Sequence, residues 1–101
     1  MNKFPEISNY RQTIEINELL GASESYYNLS DVFRILPSEL QIGENIAICN
    51  YSHLDITYTF TRPPVVECFV RFDMLTDNLD IYDAFIEAIK WLQKNNYDIC
   101  G

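Results

Sequence analysis

The chain has 101 residues, 48% hydrophobic and 14% aromatic, with only three Gly and four Pro, a composition that excludes a disordered polymer and suits one globular domain over 1–101. Fifteen acids against seven bases leave a formal charge of −8. That balance excludes direct nucleic-acid or anionic-membrane binding by counterion release and, beyond plain solubility, favours a protein partner with a basic surface.

Area scaling leaves roughly 5,900 Å² exposed out of about 17,000 Å² in the unfolded chain, so a single core is feasible without a covalent staple. Cys49, Cys68 and Cys100 lack close spacing and point to neither a disulfide framework nor a zinc site. The opening MNKFPEIS lacks the apolar run of a secretion signal, and no run approaches a membrane span. A cytoplasmic location is therefore expected, where free thiols are the rule.

Pro5 interrupts the lead-in from Met1 to Asn9. Tyr10 to Leu20 is open between two readings. Ile14 and Ile16 alternate as in a strand, whereas Tyr10, Ile14 and the pair Leu19-Leu20 follow a looser helical spacing. A strand over 13–18 is the expectation, ended by Gly21-Ala22-Ser23. Asn28 then precedes Leu29, Val32, Phe33 and Leu36, the apolar stripe of a short helix over 29–36 that Pro37 stops by disfavouring helical geometry at Leu36. Residues 38–45 read as a connection with a turn at Gly43.

The period then changes. Segments 45–51 (NIAICNY), 54–60 (LDITYTF) and 65–72 (VVECFVRF) alternate β-branched and aromatic residues with a period of two, which predicts three strands. Leu54, Ile56, Tyr58 and Phe60 fall on one side, and Val66, Cys68, Val70 and Phe72 repeat the pattern. Ser52-His53 suggests a tight antiparallel hairpin, and Arg62-Pro63-Pro64 a longer, stiffer link. His53 reads as a solvated turn residue rather than a metal ligand or base. The opposite side carries Ala47, Cys49, Tyr51 and Phe69, more apolar than an open sheet face normally is. The N-terminal segment or the short helix covers it, or Tyr51 and Phe69 form a homodimer or partner contact.

From Met74 to Asn96 runs one long amphipathic helix, predicted over about 77–95. Ile81, Phe85, Ala88, Ile89 and Leu92 make its buried stripe, while Asp80, Asp83, Glu87, Lys90 and Lys94 keep the same rhythm on the opposite side. Asp77 is the expected cap, with Asp80 three residues on, and Asn95-Asn96 the left-handed stop. Tyr97 to Gly101 is open between a short strand and a frayed end. The predicted fold class is α+β: a three- to four-stranded antiparallel sheet with the long helix on one face and the short helix beside it.

No glycine-rich phosphate loop or calcium loop is present, and no catalytic residue, metal site or cofactor is predicted. An enzyme is the less expected class. The feature above background is the run Asp73, Asp77, Asp80, Asp83 and Glu87, with no Lys or Arg among them. On a helix rising 1.5 Å per residue these acids make a stripe about 20 Å long. Asp77, Asp80, Asp83 and Glu87 are the candidate partner-binding residues, with Tyr82 or Trp91 as aromatic anchors. Compensation of the helix dipole is the stronger explanation of early acids, since it needs no partner. A small-molecule site would instead need a cavity lined by Tyr58, Phe72 and Trp91.

LSDVFRILPSEL and DAFIEAIKWLQKNN resemble segments of small uncharacterised phage and prophage proteins. Those pair a Leu-Pro turn before a strand with a closing helix written D-A, several apolar positions, then W-L and N. Leu36-Pro37, Asp83-Ala84, Trp91-Leu92 and Asn95 or Asn96 match the pattern, over about a quarter of the chain. The resemblance implies a setting of mobile DNA and assigns no functional residue. The expected function is a small acidic, non-enzymatic protein that occludes a basic surface of a bacterial protein, such as a defence nuclease. The alternatives are a homodimeric accessory protein or a small-molecule-binding domain.

Overall fold

The computed structural model describes residues 6–51, 55–62, 65–72 and 80–99, the side chains of 51, 61, 62 and 65–67 excepted. They form α1 (Tyr10–Leu20), α2 (Leu29–Ile35), β1 (Glu39–Ile42), β2 (Asn45–Tyr51), β3 (Ile56–Arg62), β4 (Val65–Arg71) and α3 (Ile81–Lys94). The strands make one antiparallel meander in the order β1-β2-β3-β4, so the fold is α+β.

The expected stripe of α3 is buried: Ile81, Phe85, Ala88, Ile89 and Leu92 are at most 1% exposed. Each large member contributes about 1.5–3 kcal/mol by leaving water. Tyr82, Ala84 and Ile86 are buried too, so the first half of the helix is enclosed on nearly every side. The reason is a third layer. One side of α3 packs on β3 and the other on α1, and a helix covered twice must be apolar over more than one stripe.

That third layer corrects the expectation of a strand over 13–18, because Tyr10–Leu20 is helical. The Asn9 side chain accepts from the Gln12 N–H at its start, and Gly21, at φ +64, ends it in the left-handed region. Gln12, Thr13 and Ile16 turn inward, followed by half-buried Leu19 and Leu20, whereas Ile14 is 38% exposed. The Ile14/Ile16 alternation thus spans both sides of a helix.

Asn28 caps α2 as predicted, in a capping box with Asp31. The helix stops before Pro37, with Leu36 extended at ψ 133. Its buried residues are Val32 and Ile35, while Phe33, expected in the stripe, is 47% exposed. The expected connection over 38–45 holds a further strand, β1, turned into β2 through Gly43 at φ +61 and Glu44. The fourth strand is therefore 39–42.

The strand over 45–51 stands where expected, and the next begins at Ile56. Cys49 pairs with Tyr58 and Ala47 with Phe60. Cross-strand partners share a face, so Ala47, which is fully buried, and Cys49 lie on the helix side, not on the opposite one as expected. The outer face instead carries Ile46 and Ile48, 46% and 42% exposed. Tyr51 pairs with Ile56 and Arg62 with Val65, so the first link spans four residues and the second two, the reverse of the expected lengths. Ser52, His53, Leu54 and the side chain of Val66 lie outside the described residues.

Between β3 and β4 the register slips: Tyr58 faces Val70, yet Thr59 faces Cys68. Phe69 is the extra residue of a β-bulge, which reverses the sidedness of the strand beyond it. Cys68, expected in the core, is consequently exposed. Phe69 turns to the helix side, with its ring 5.1 Å from Phe60 and 5.9 Å from Trp91.

At the end of α3, Asn96 adopts φ +62 as expected. The Tyr97 N–H bonds the Leu92 carbonyl at 2.9 Å and the Asn96 N–H that of Gln93 at 3.2 Å, the paired bonds of a Schellman stop. The Tyr97 ring then stacks on Trp91 at 5.5 Å.

Gly21 has space around it, since an added Cβ meets nothing within 4 Å. Gly21→Ala therefore has a purely conformational cost, and urea unfolding should register a loss of about 1–2 kcal/mol.

Candidate functional site

The helix that carries the predicted acids begins at Ile81, so its cap is Asp80 rather than Asp77, which lies outside the described residues together with Asp73. Asp80 Oδ1 accepts from the Tyr82 N–H at 2.9 Å and the Asp83 N–H at 3.3 Å, and Asp83 Oδ2 accepts from the Asp80 N–H at 3.2 Å. This is a complete capping box.

The start of α1 lies against it. Gln12 Oε1 accepts from the Asn9 N–H at 2.9 Å, closing a second capping box. The other end of the same amide donates through Nε2 to Asp80 Oδ1 at 2.8 Å and Asp83 Oδ2 at 3.1 Å. Arg11 donates to Asp83 Oδ1 at 2.5 Å, and this bond holds the guanidinium above its ordinary pKa. Two helix N-termini, each carrying partial positive charge, thus meet at two carboxylates.

Asp83 is only 6% exposed and Asp80 is half-buried. The expectation that Asp80, Asp83 and Glu87 form one solvent-facing stripe is corrected. Only Glu87 of these is exposed, and it shares the outer side of α3 with Lys90 and Lys94. The physical reason is α1, which covers the side of α3 that a two-layer fold leaves to water.

The other expected contact residues are also occupied inside the chain. Tyr82 is fully buried and donates to the Glu6 carbonyl at 3.0 Å. Trp91 sits among Phe69, Phe72 and Tyr97. Tyr58, expected to line a cavity with Phe72 and Trp91, is buried and donates to the Pro37 carbonyl at 2.8 Å. The side chain of Tyr51 lies outside the described residues.

Among the described residues, a concave surface lies at the far end of α1. A cleft of about 350 Å³ is lined by Leu19, Leu20, Ala22, Tyr27, Ile35 and Ile99, with Glu24, Arg34 and Gln93 as its polar lining. Asn17 shapes it. Its Nδ2 donates to the Glu24 carbonyl at 2.9 Å, while Oδ1 accepts from the Glu24 N–H at 3.0 Å and the Tyr27 hydroxyl at 2.6 Å. One side chain thereby fixes the loop from Gly21 to Tyr27 against the helix. Burial raises the Tyr27 pKa, with Glu24 and Asp31 adding to the effect. A shallow depression bounded by Ile14, Glu18, Ala22 and Glu24 adjoins the cleft.

The Glu18 and Glu24 carboxylates are exposed and form no ion pair among the described residues. Every described arginine side chain is paired: Arg11 with Glu15 and Asp83, Arg34 with Asp31, and Arg71 with Asp55. Sequence reasoning passed over Glu18 and Glu24 because it placed them around a strand end. The signal available was Asn17 four residues before Gly21, a spacing that lets an Asn side chain grip the loop after a helix stop.

No cluster of metal-ligating side chains occurs among the described residues, and none of their helices is long and apolar enough to cross a membrane. No family model, curated protein or solved structure matches the chain.

Gln12→Leu keeps the volume but removes the shared donor. Chemical denaturation should show a loss of about 1–3 kcal/mol, since Asp80 and Asp83 stay buried with one N–H fewer. Burial also raises the Tyr82 phenol from 10.0 to about 12, with smaller contributions from Asp80 and Asp31. The fold disfavours the phenolate, so this contribution to stability is complete below about pH 10 and is lost as pH rises through about 12. In Tyr82→Phe, stability followed by urea unfolding should fall less steeply over that window.

Proposed function

We propose that the chain is a non-enzymatic binding domain that occupies a basic surface of another protein, the kind of surface proteins use to hold nucleic acid. The observation that carries this reading is the asymmetry of pairing. The described arginine side chains are paired within the fold and Lys90 and Lys94 lie on the outer side of α3, whereas Glu18 and Glu24 stand exposed and without an ion pair among the described residues beside a concave surface. Carboxylates held on a helix and a pinned loop lose little freedom on meeting a cation, and a charge of −8 steers a basic partner toward them. The contact region is thus moved from the start of α3 to the end of α1.

The phage or mobile-element setting implied by the Leu36-Pro37 and Trp91-Leu92 resemblance belongs to this proposal, with a bacterial nucleic-acid enzyme as the natural target. A second reading rests on Ile46 and Ile48, whose exposure on the outer sheet face suits a contact between two copies. The charge on each copy opposes it.

Biolayer interferometry against immobilised oligolysine tests the first reading. Binding should weaken steeply between ~50 mM and ~300 mM salt and should drop further in Glu18→Lys with Glu24→Lys than in Glu39→Lys with Glu44→Lys. Equal loss in the two double variants would overturn the site. A sedimentation velocity run giving a dimer that Ile48→Glu dissolves would replace it with the second reading.

A further inference from the structure

We infer that the cleft at the end of α1 receives one aliphatic or aromatic side chain of a peptide segment whose neighbouring Lys or Arg meets Glu24 and Glu18, an inference that rests on the basic-partner reading above. Its apolar lining comes from four parts of the fold: Leu20 on α1, Tyr27 in the following loop, Ile35 on α2 and Ile99 after α3, set among polar groups that make up the larger share of the surface. Its volume of about 350 Å³ lies at the lower end of small-molecule sites, roughly 300–1,000 Å³, and has room for an apolar side chain and its neighbour.

The polar groups of the cleft select the charge of the occupant. Arg34 is committed to Asp31 at 3.1 Å, and Gln93 Nε2 donates to the Leu19 carbonyl at 2.8 Å. The Tyr27 hydroxyl is bound to Asn17. What has no ion pair among the described residues is the Glu24 carboxylate, which lines both the cleft and the adjoining depression, and Glu18 lines the latter as well. An anionic ligand meets repulsion there. A cationic group beside an apolar one meets the Glu24 carboxylate and the side chains of Leu20, Ile35 and Ile99.

The site is built before the partner arrives. Gly21 at φ +64 turns the chain, and the three hydrogen bonds of Asn17 hold Glu24 and Tyr27 in place. A segment binding there loses its own freedom but little of the domain's.

Amide chemical-shift mapping with three capped heptapeptides tests this: Gly-Ser-Lys-Leu-Lys-Ser-Gly, the same peptide with Gly for Leu, and the same with Glu for both Lys. The first should perturb Leu20, Tyr27 and Ile35 saturably. Loss of its leucine should weaken binding by about tenfold, and the acidic peptide should leave the spectrum unchanged. Glu24→Lys should weaken the first peptide by about fivefold or more. Ala22→Trp, which fills the cleft from a half-buried loop position without emptying the core, should abolish the leucine dependence while amide signals elsewhere stay in place.

Equal binding of the leucine and glycine peptides at these residues would sink the cleft assignment and leave the basic-partner reading standing. Shifts centred on Ile46 and Ile48 would sink it as well. No binding by either basic peptide, together with no retention on oligolysine, would remove both.

Discussion

The side chain of Gln12 holds the molecule's layers in register, because a single amide closes the cap of α1 and donates to both carboxylates that cap α3. The constraint behind it is general. Two helices that start side by side bring two positive dipole ends together in a partly dehydrated place, and their first N–H groups have no partners inside the helices. Asp80 and Asp83 answer both demands, Arg11 balances part of their charge, and Gln12 supplies the remaining donor. Once α1 is fixed in this way, α3 becomes an interior element and its apolar surface must extend around most of its circumference.

The same arrangement decides which carboxylates face water. Acids at the start of a helix look like a binding surface when the helix is thought to face water. Here they neutralise the fold's own dipoles and arginine, so the exposed carboxylates lie elsewhere. The end of α1 has the opposite character: its carboxylates form no ion pair among the described residues, the loop beneath them is pinned by Asn17, and a cleft adjoins them.

Much of the architecture is legible in the residues. Asn28 and Pro37 bracket α2, the spacing of Phe85, Ile89 and Leu92 marks α3, and the alternation around Ile56 and Tyr58 marks a central strand, since all of these signals are local. The helix α1 was hidden by Ile14, whose exposure mimics strand alternation, although Asn9 with Gln12 and Gly21 were there to be weighed as cap and stop. The inward turn of Asp83 was not legible, because its partners Arg11 and Gln12 are some seventy positions away in the chain. Nor was the displacement of Cys68 and Phe69: a bulge shifts period-two patterning by one position without a distinctive residue to announce it.

That bulge has a further effect, because β4 is the last strand of the sheet. A straight border strand offers its open row of N–H and C=O groups to any extended chain that drifts alongside, the usual start of ordered aggregation. The extra residue at Phe69 puts a kink and added twist into that border, and the opposite border, β1, is only four residues long. A strongly β-forming stretch such as VVECFVRF thereby presents a bent border that fits a straight extended chain poorly.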